Sequence, residues 1–191
     1  MNIKDVKIYL VDRNAEMAKE WRLAFDEDNV EIVGTDFVEF MKTHKVDCVV
    51  SPANSYAIMD GEFDRAISDW FGWDLQECVQ KYIIDNLFGE QPVGTSIVMD
   101  TGVDGIKLVH TPTMRVPESI TDYTVVYHCT RSSLIAAMGA GAKTIALPAF
   151  GAGTGCVPKN IVAKMMLRAY KQLAHPPEKI SWRYANRNLD E

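Results

Sequence analysis

Two segments of the chain carry residues suited to holding an anion. Residues 51–64 read Ser-Pro-Ala-Asn-Ser-Tyr-Ala-Ile-Met-Asp-Gly-Glu-Phe-Asp, and residues 147–158 read Leu-Pro-Ala-Phe-Gly-Ala-Gly-Thr-Gly-Cys-Val-Pro. Each follows an apolar run that reads as a buried strand, and each leads into a helix. A helix N-terminus presents unpaired N–H groups and a partial positive charge. Glycine lets the main chain approach an anion with no Cβ in the way. Two such loops facing each other would grip a diphosphate from both sides. Taken alone, Gly151-Ala152-Gly153-Thr154-Gly155 also reads as a flexible turn. It is not a dinucleotide fingerprint, because Cys156 stands where the third glycine belongs and no further strand follows to supply a ribose-binding acid. A Walker loop is excluded by the lack of Gly-Lys-Ser/Thr.

The elements that must position these loops alternate between strand and helix. Val6 to Val11, Val30 to Val33, Val46 to Ser51, Thr95 to Met99, Ile106 to Thr111 and Thr144 to Leu147 read as strands, and the third is apolar enough to lie centrally in a sheet. Asn14 can cap a helix running to about Asp26, with Ala18, Trp21 and Phe25 on one face. Thr35 can cap a short helix marked by Phe37, Phe40 and Met41. Phe63, Ala66, Ile67 and Trp70 follow helical spacing up to Gly72. Asp74 and Glu77 form a capping box for the next helix, which turns Leu75, Val79, Tyr82 and Ile83 inward. A helix runs from Thr121 through Met138, and Pro158 opens the last one, with Val162, Met165, Met166, Ala169 and Leu173. The set Met138, Met165 and Met166 reads as core packing. Such alternation implies a mostly parallel sheet covered on both faces. Ligands of such sheets bind outside the carboxyl ends of the strands.

The bulk numbers bound the possibilities. A length of 191 residues suits one domain, here read as residues 1–175 with a C-terminal tail at 176–191. Trp182 and Tyr184 in that tail suit docking against the domain. The formal net charge of −6 argues against non-specific nucleic-acid binding, which needs clustered Lys and Arg. An anion held by backbone N–H groups is still allowed. No apolar stretch nears the roughly 18 residues that span a bilayer. Asp5, Asp12, Glu16 and Glu20 make the first twenty residues unlike a signal peptide. Cys48, Cys78, Cys129 and Cys156 stand singly without metal-ligand spacing, so they read as reduced, mostly buried thiols of a cytoplasmic protein, with no metal site. His110 and His128 read as structural histidines, and Arg115 as a surface ion-pair partner.

Together the segments resemble the macro domain family, over roughly Val6 to Ala174. Val46 to Ser55 is similar to its strand ending in Ala-Asn-Ser, and Gly61 to Gly72 to its glycine loop and following helix. Leu147 to Pro158 resembles its second phosphate loop, and Gly34-Thr35-Asp36-Phe37 the stretch beside its adenine pocket. The resemblance implies a three-layer α/β/α fold with a mixed, mostly parallel sheet of about six strands and an ADP-ribose cleft across the strand ends. It implies no cofactor; the partners would be ADP-ribose or an ADP-ribosylated protein or nucleic acid. Asp36 matches the adenine-binding acid, and also suits a helix cap. Asn54 matches the asparagine that holds the distal ribose, and also suits a turn. Asp64 matches the acid that positions water in hydrolytic relatives, and also suits the first turn of a helix. Ala53, Gly61, Glu62 and Phe63 on the first loop, with Gly151, Ala152, Gly153, Thr154 and Gly155 on the second and Phe37 near the adenine, complete the implied ligand-binding set. Asp64 and Asn54 would be the catalytic pair of a hydrolase acting on an ADP-ribosyl linkage or on ADP-ribose 1″-phosphate. A binding module without chemistry is the alternative. Two departures stand out. Glu62 occupies a usual glycine position and must point away from the ligand. Gly155 replaces an aromatic residue, leaving Tyr56 or Phe150 to cover the distal sugar.

Overall fold

The computed structural model describes residues 2–186. After a 3-10 turn at Ile3–Asp5, six strands alternate with helices: β1 (Lys7–Val11), α1 (Ala15–Ala24), β2 (Val30–Val33), α2 (Phe37–Thr43) and β3 (Cys48–Ser51). Then come α3 (Glu62–Phe71), α4 (Asp74–Leu87), β4 (Ile97–Asp100), β5 (Lys107–His110), α5 (Thr124–Gly139), β6 (Thr144–Pro148), α6 (Lys159–Ala174) and α7 (Trp182–Ala185). The strands form one sheet in the order β2-β1-β6-β3-β5-β4. All neighbours are parallel except β4, which runs antiparallel to β5. β3 is flanked by β6 and β5, and all four of its residues are buried. A strand covered on both faces cannot alternate polar and apolar residues, and this one does not.

Two apolar cores sandwich the sheet. On one face Met17 and Trp21 of α1, Leu134 of α5 and Met165 and Met166 of α6 pack over Ile8, Leu10 and Ile145. On the other, Phe37 and Phe40 of α2, Ile67 of α3 and Leu75, Val79 and Ile83 of α4 pack over Val11, Val49 and Ala146. Met138 lies partly buried against the first core, so the methionine set is packing. The architecture is the expected three-layer α/β/α arrangement.

Local details differ from the sequence reading at several points. Asp36, not Thr35, caps α2, its Oδ1 accepting from the Glu39 N–H at 3.0 Å. The turn of Thr35 thus comes one residue too early. Asp74 is already helical, the N-cap of α4 is Trp73, and no side chain caps it, so no capping box forms. Tyr82 is exposed while Leu75, Val79 and Ile83 are buried, which leaves a narrower inward stripe than expected. α5 starts at Thr124, held by Asp122, whose Oδ1 accepts from the Thr124 N–H and hydroxyl. Cys48 and Cys129 are buried, and burial pushes both thiols up to about 12. Cys78 and Cys156 are exposed, the former because it faces outward on α4. In the tail, Gln172 on α6 donates to the Tyr184 hydroxyl, whereas Trp182 is exposed.

Candidate functional site

Because five strands run the same way, the segments after β1, β2, β3, β5 and β6 emerge along one edge of the sheet. They surround a cleft of about 750 Å³. Every residue of the implied ligand-binding and catalytic set lines it: Asp36 and Phe37, Ala53, Asn54, Gly61 to Asp64, and Gly151 to Gly155. The two loops therefore share one cavity.

The first loop is shaped by main-chain bonds at residues 53, 55 and 57 and by side chains. Asn54 folds its amide back on the loop, with Oδ1 accepting from the N–H of Tyr56 at 3.1 Å and of Ile58 at 3.3 Å. Its Nδ2 donates to the Ile58 carbonyl at 2.8 Å. The turn-forming role is thus real, and one N–H of the amide is left over. From α4, Gln76 Oε1 accepts from the Met59 N–H at 2.7 Å, and Gln80 donates to the Ala57 carbonyl at 3.1 Å. Gly61 is the N-cap of α3 and offers no side chain to the first turn. The N–H groups that open this helix consequently lack an intrahelical or capping partner.

Asp64 sits in that first turn, 7% exposed. Ser51, at the end of β3, donates its hydroxyl to Asp64 Oδ1 at 2.6 Å. Burial pushes the Asp64 carboxyl up to about 7, opposed by the Ser51 hydrogen bond and aided by the charge of Asp60. A carboxyl in this state exchanges a proton near neutrality.

The second loop is shaped by close packing of its main chain. Gly151 has φ +74, and a Cβ there would meet Val157 and Ile120 at 3.0 and 3.1 Å. At Gly155 a Cβ would lie 2.7 Å from both the Gly151 carbonyl oxygen and Ile120 Cδ1. The Ile120 N–H also donates to the Gly155 carbonyl at 2.8 Å. Ile120 therefore fills the space where an aromatic side chain at 155 would stand. Neither proposed substitute covers the sugar side: Phe150 is buried in the core, and Tyr56 is not among the cleft-lining residues. Tyr56 instead donates its hydroxyl to Glu90 at 2.7 Å and lies under Arg115. Arg115 is paired with Glu90 at 3.0 Å. His110 is buried, bonded through Nδ1 to Gln91 at 2.7 Å, and burial lowers it to about 3. His128 is exposed.

Glu62 departs from expectation. It points not away from the cleft but across it, its carboxylate resting against Gly153 of the second loop. Its backbone is in the left-handed region, φ +42. At the other end of the cleft, Phe37 and Phe63 meet edge to face at 5.2 Å and form an apolar wall. Asp36, whose Oδ1 is taken by the Glu39 N–H, also lines the cleft.

The cleft also includes Asp12, Arg13 and Asn14 after β1, Thr113 and Met114 after β5, and Lys159 at the start of α6. Sequence reasoning did not name these as site residues, though the carboxyl end of β1 was available as a signal. Burial raises Asp12, whose Oδ1 accepts from the Asn14 N–H at 2.7 Å. Among the described residues no cluster of His, Cys, Asp or Glu could hold a metal ion, and no helix is long and apolar enough to cross a membrane.

The Macro domain family model matches residues 50–166, which hold both loops and Asp64. The chain belongs to the macro domain family. This macro domain is 31% identical over 128 residues to an uncharacterized protein of Aquifex aeolicus, covering 66% of the chain and 73% of that protein. In structure it is similar to a mutant of the Oceanobacillus iheyensis macrodomain solved with ADPR, at a TM-score of 0.61 and 20% identity, over 70% of this chain and 74% of that one. It is also similar to the macrodomain of Mycobacterium tuberculosis DarG, at a TM-score of 0.59 and 18% identity, over 69% and 86% of the two chains. These structural likenesses establish the fold.

Proposed function

We propose that this macro domain binds ADP-ribose across the strand ends and hydrolyses its linkage to a protein or nucleic acid, or removes the phosphate of ADP-ribose 1″-phosphate. One observation carries the reading: the buried Asp64 carboxyl lies at the edge of a single cleft onto which both anion-suited loops open. The presence of ADPR in a structure of the Oceanobacillus iheyensis macrodomain supports the choice of ligand. In this reading the Phe37–Phe63 wall and Asp36 receive the adenine. Main-chain N–H groups of residues 60–64 and 151–155 take the diphosphate. The remaining Asn54 N–H and Asp64 face the distal ribose.

Side chains alone do not explain attraction of an anion. The cleft lining holds five acids and three bases, and Lys159 is paired with Glu16 at 3.2 Å. Backbone amides and the N-terminal ends of α3 and α6 must supply the positive potential. Asp64 would accept a proton from the attacking water and return it to the leaving atom, with most of the rate coming from positioning. Ser51 is a positioning residue here, fixing the carboxyl and favouring its ionised form.

Calorimetry with ADP-ribose and turnover of an ADP-ribosylated protein test the proposal together. Asp64→Asn should keep affinity within a few-fold and lower turnover by roughly 100-fold or more. Ser51→Ala should move the rising limb of the rate–pH profile above its wild-type position near 7, because the hydrogen bond that lowers Asp64 is gone. The binding-module reading has support of its own in Glu62, which lies across the cleft, and in the engaged Asn54 amide. Tight binding with no turnover of any conjugate would select it.

A further inference from the structure

Glu62 lies between the two loops that would hold the diphosphate. As the first residue of α3 it adopts φ +42, a backbone conformation rare for a residue with a Cβ. From there the side chain leaves the first loop and touches the second. A Cβ built on Gly153 would fall 2.1 Å from Glu62 Oε2, 3.0 Å from its Cδ and 3.3 Å from its Oε1. Gly153 itself is outside the left-handed range, so any L-residue could adopt its backbone conformation. What crowds position 153 in this state is the carboxylate, the far end of a flexible side chain. The same bare Cα that admits a phosphate oxygen here admits a carboxylate oxygen.

Nothing else anchors the group. The Glu62 side chain is exposed, and among the described residues its carboxylate makes no hydrogen bond or ion pair. Its charge does act on the cleft: after burial and the Asn14 and Arg13 contributions, Glu62 helps set the proton affinity of Asp12. The carboxylate is thus an unanchored internal anion, free to leave if a better occupant arrives.

We propose that Glu62 is the specificity-determining residue of the space between the loops, setting how much negative charge the site accepts. An incoming diphosphate must displace the carboxylate, and even after displacement the two charges stay a side-chain length apart. A ligand without phosphate meets no such opposition. The proposal rests on the ADP-ribose reading, since it is the diphosphate of that ligand that Glu62 opposes.

Isothermal titration of wild type, Glu62→Gln and Glu62→Ala with ADP-ribose and with adenosine tests it. Both variants should bind ADP-ribose on the order of 10-fold more tightly than wild type, as expected for one like-charge contact in a solvent-accessible cleft. Adenosine affinity should stay unchanged. The gap between wild type and Glu62→Gln should narrow at high salt, because screening acts on the repulsion. A gain in Glu62→Ala without a gain in Glu62→Gln would overturn the charge argument, since glutamine keeps the volume. An equal gain for adenosine would overturn it too. Equal ADP-ribose affinity in all three proteins would remove Glu62's role and leave the functional reading intact. No ADP-ribose binding by any of them would remove both.

Discussion

The two loops reach the same cleft by different physical means. Residues 52–61 add to main-chain bonds at residues 53, 55 and 57 a set of polar side chains: Asn54 within the loop, and Gln76, Gln80 and Ser68 from outside. Residues 149–158 are held by main-chain bonds such as Val157 N–H to the Gly151 carbonyl at 3.0 Å, and by the absence of Cβ atoms at Gly151 and Gly155. Side-chain scaffolding dissolves in small steps, because each hydrogen bond contributes about 1 kcal/mol. Exclusion of a Cβ has no intermediate setting. The first loop should therefore tolerate change, and the second should fail abruptly.

Matched glycine substitutions should show the largest contrast. Gly155→Ala places a methyl 2.7 Å from a backbone oxygen, so it should cost about 2–4 kcal/mol in chemical denaturation. At Gly61, φ is −111 and a Cβ would meet nothing within 4 Å. Gly61→Ala, which changes an N-cap without a clash, should cost no more than about 1 kcal/mol. Similar losses at both positions would erase the distinction between the loops.

Next in size is the buried charge at the end of the first loop, a feature for which the second has no counterpart in the proposed site. Asp64 titrates at about 7 in the fold against an ordinary 3.8. The folded state thus binds the proton more tightly, and stability falls as pH rises between those values. Asn has no such equilibrium. Asp64→Asn should stabilise the domain by about 2–4 kcal/mol at pH 8, and the gain should vanish towards pH 4. Thermal melts across that range will show whether it does. The smallest effect belongs to the scaffold itself. Asn54→Ala should cost about 1–2 kcal/mol and speed amide exchange at residues 56 and 58, leaving the second loop unchanged.

Much of this arrangement was legible in the residue order because its causes are local. The buried run Cys48–Ser51 and the helical spacing of Phe63, Ala66, Ile67 and Trp70 place α3 at a strand's carboxyl end with no tertiary information. Four short segments in the right order then located the cleft. What escaped depended on contacts distant in sequence. Glu62 points inward because Gly153, 91 positions later, makes room for it. Gly155 needs no aromatic side chain because Ile120 approaches from the segment before α5. Ser51 stood inside a recognised motif, yet its role required seeing Asp64 within 2.6 Å. The false capping box at Asp74 and Glu77 shows the converse error, in which a local pattern was present but the helix began one residue earlier.

The position of β1 carries a consequence for where this domain can be cut. It is the first strand in the chain, yet it lies inside the sheet between β2 and β6. The stretch that matches the family begins only at residue 50. A fragment starting there would lack β1 and β2, strip one flank of β6 of its hydrogen-bonding partner, and remove α1 and α2 from the two cores that cover the sheet. The boundary of recognisable likeness is therefore not the boundary of the sheet: residues 2–49 supply two of its strands and, from Asp12 to Phe37, one wall of the cleft.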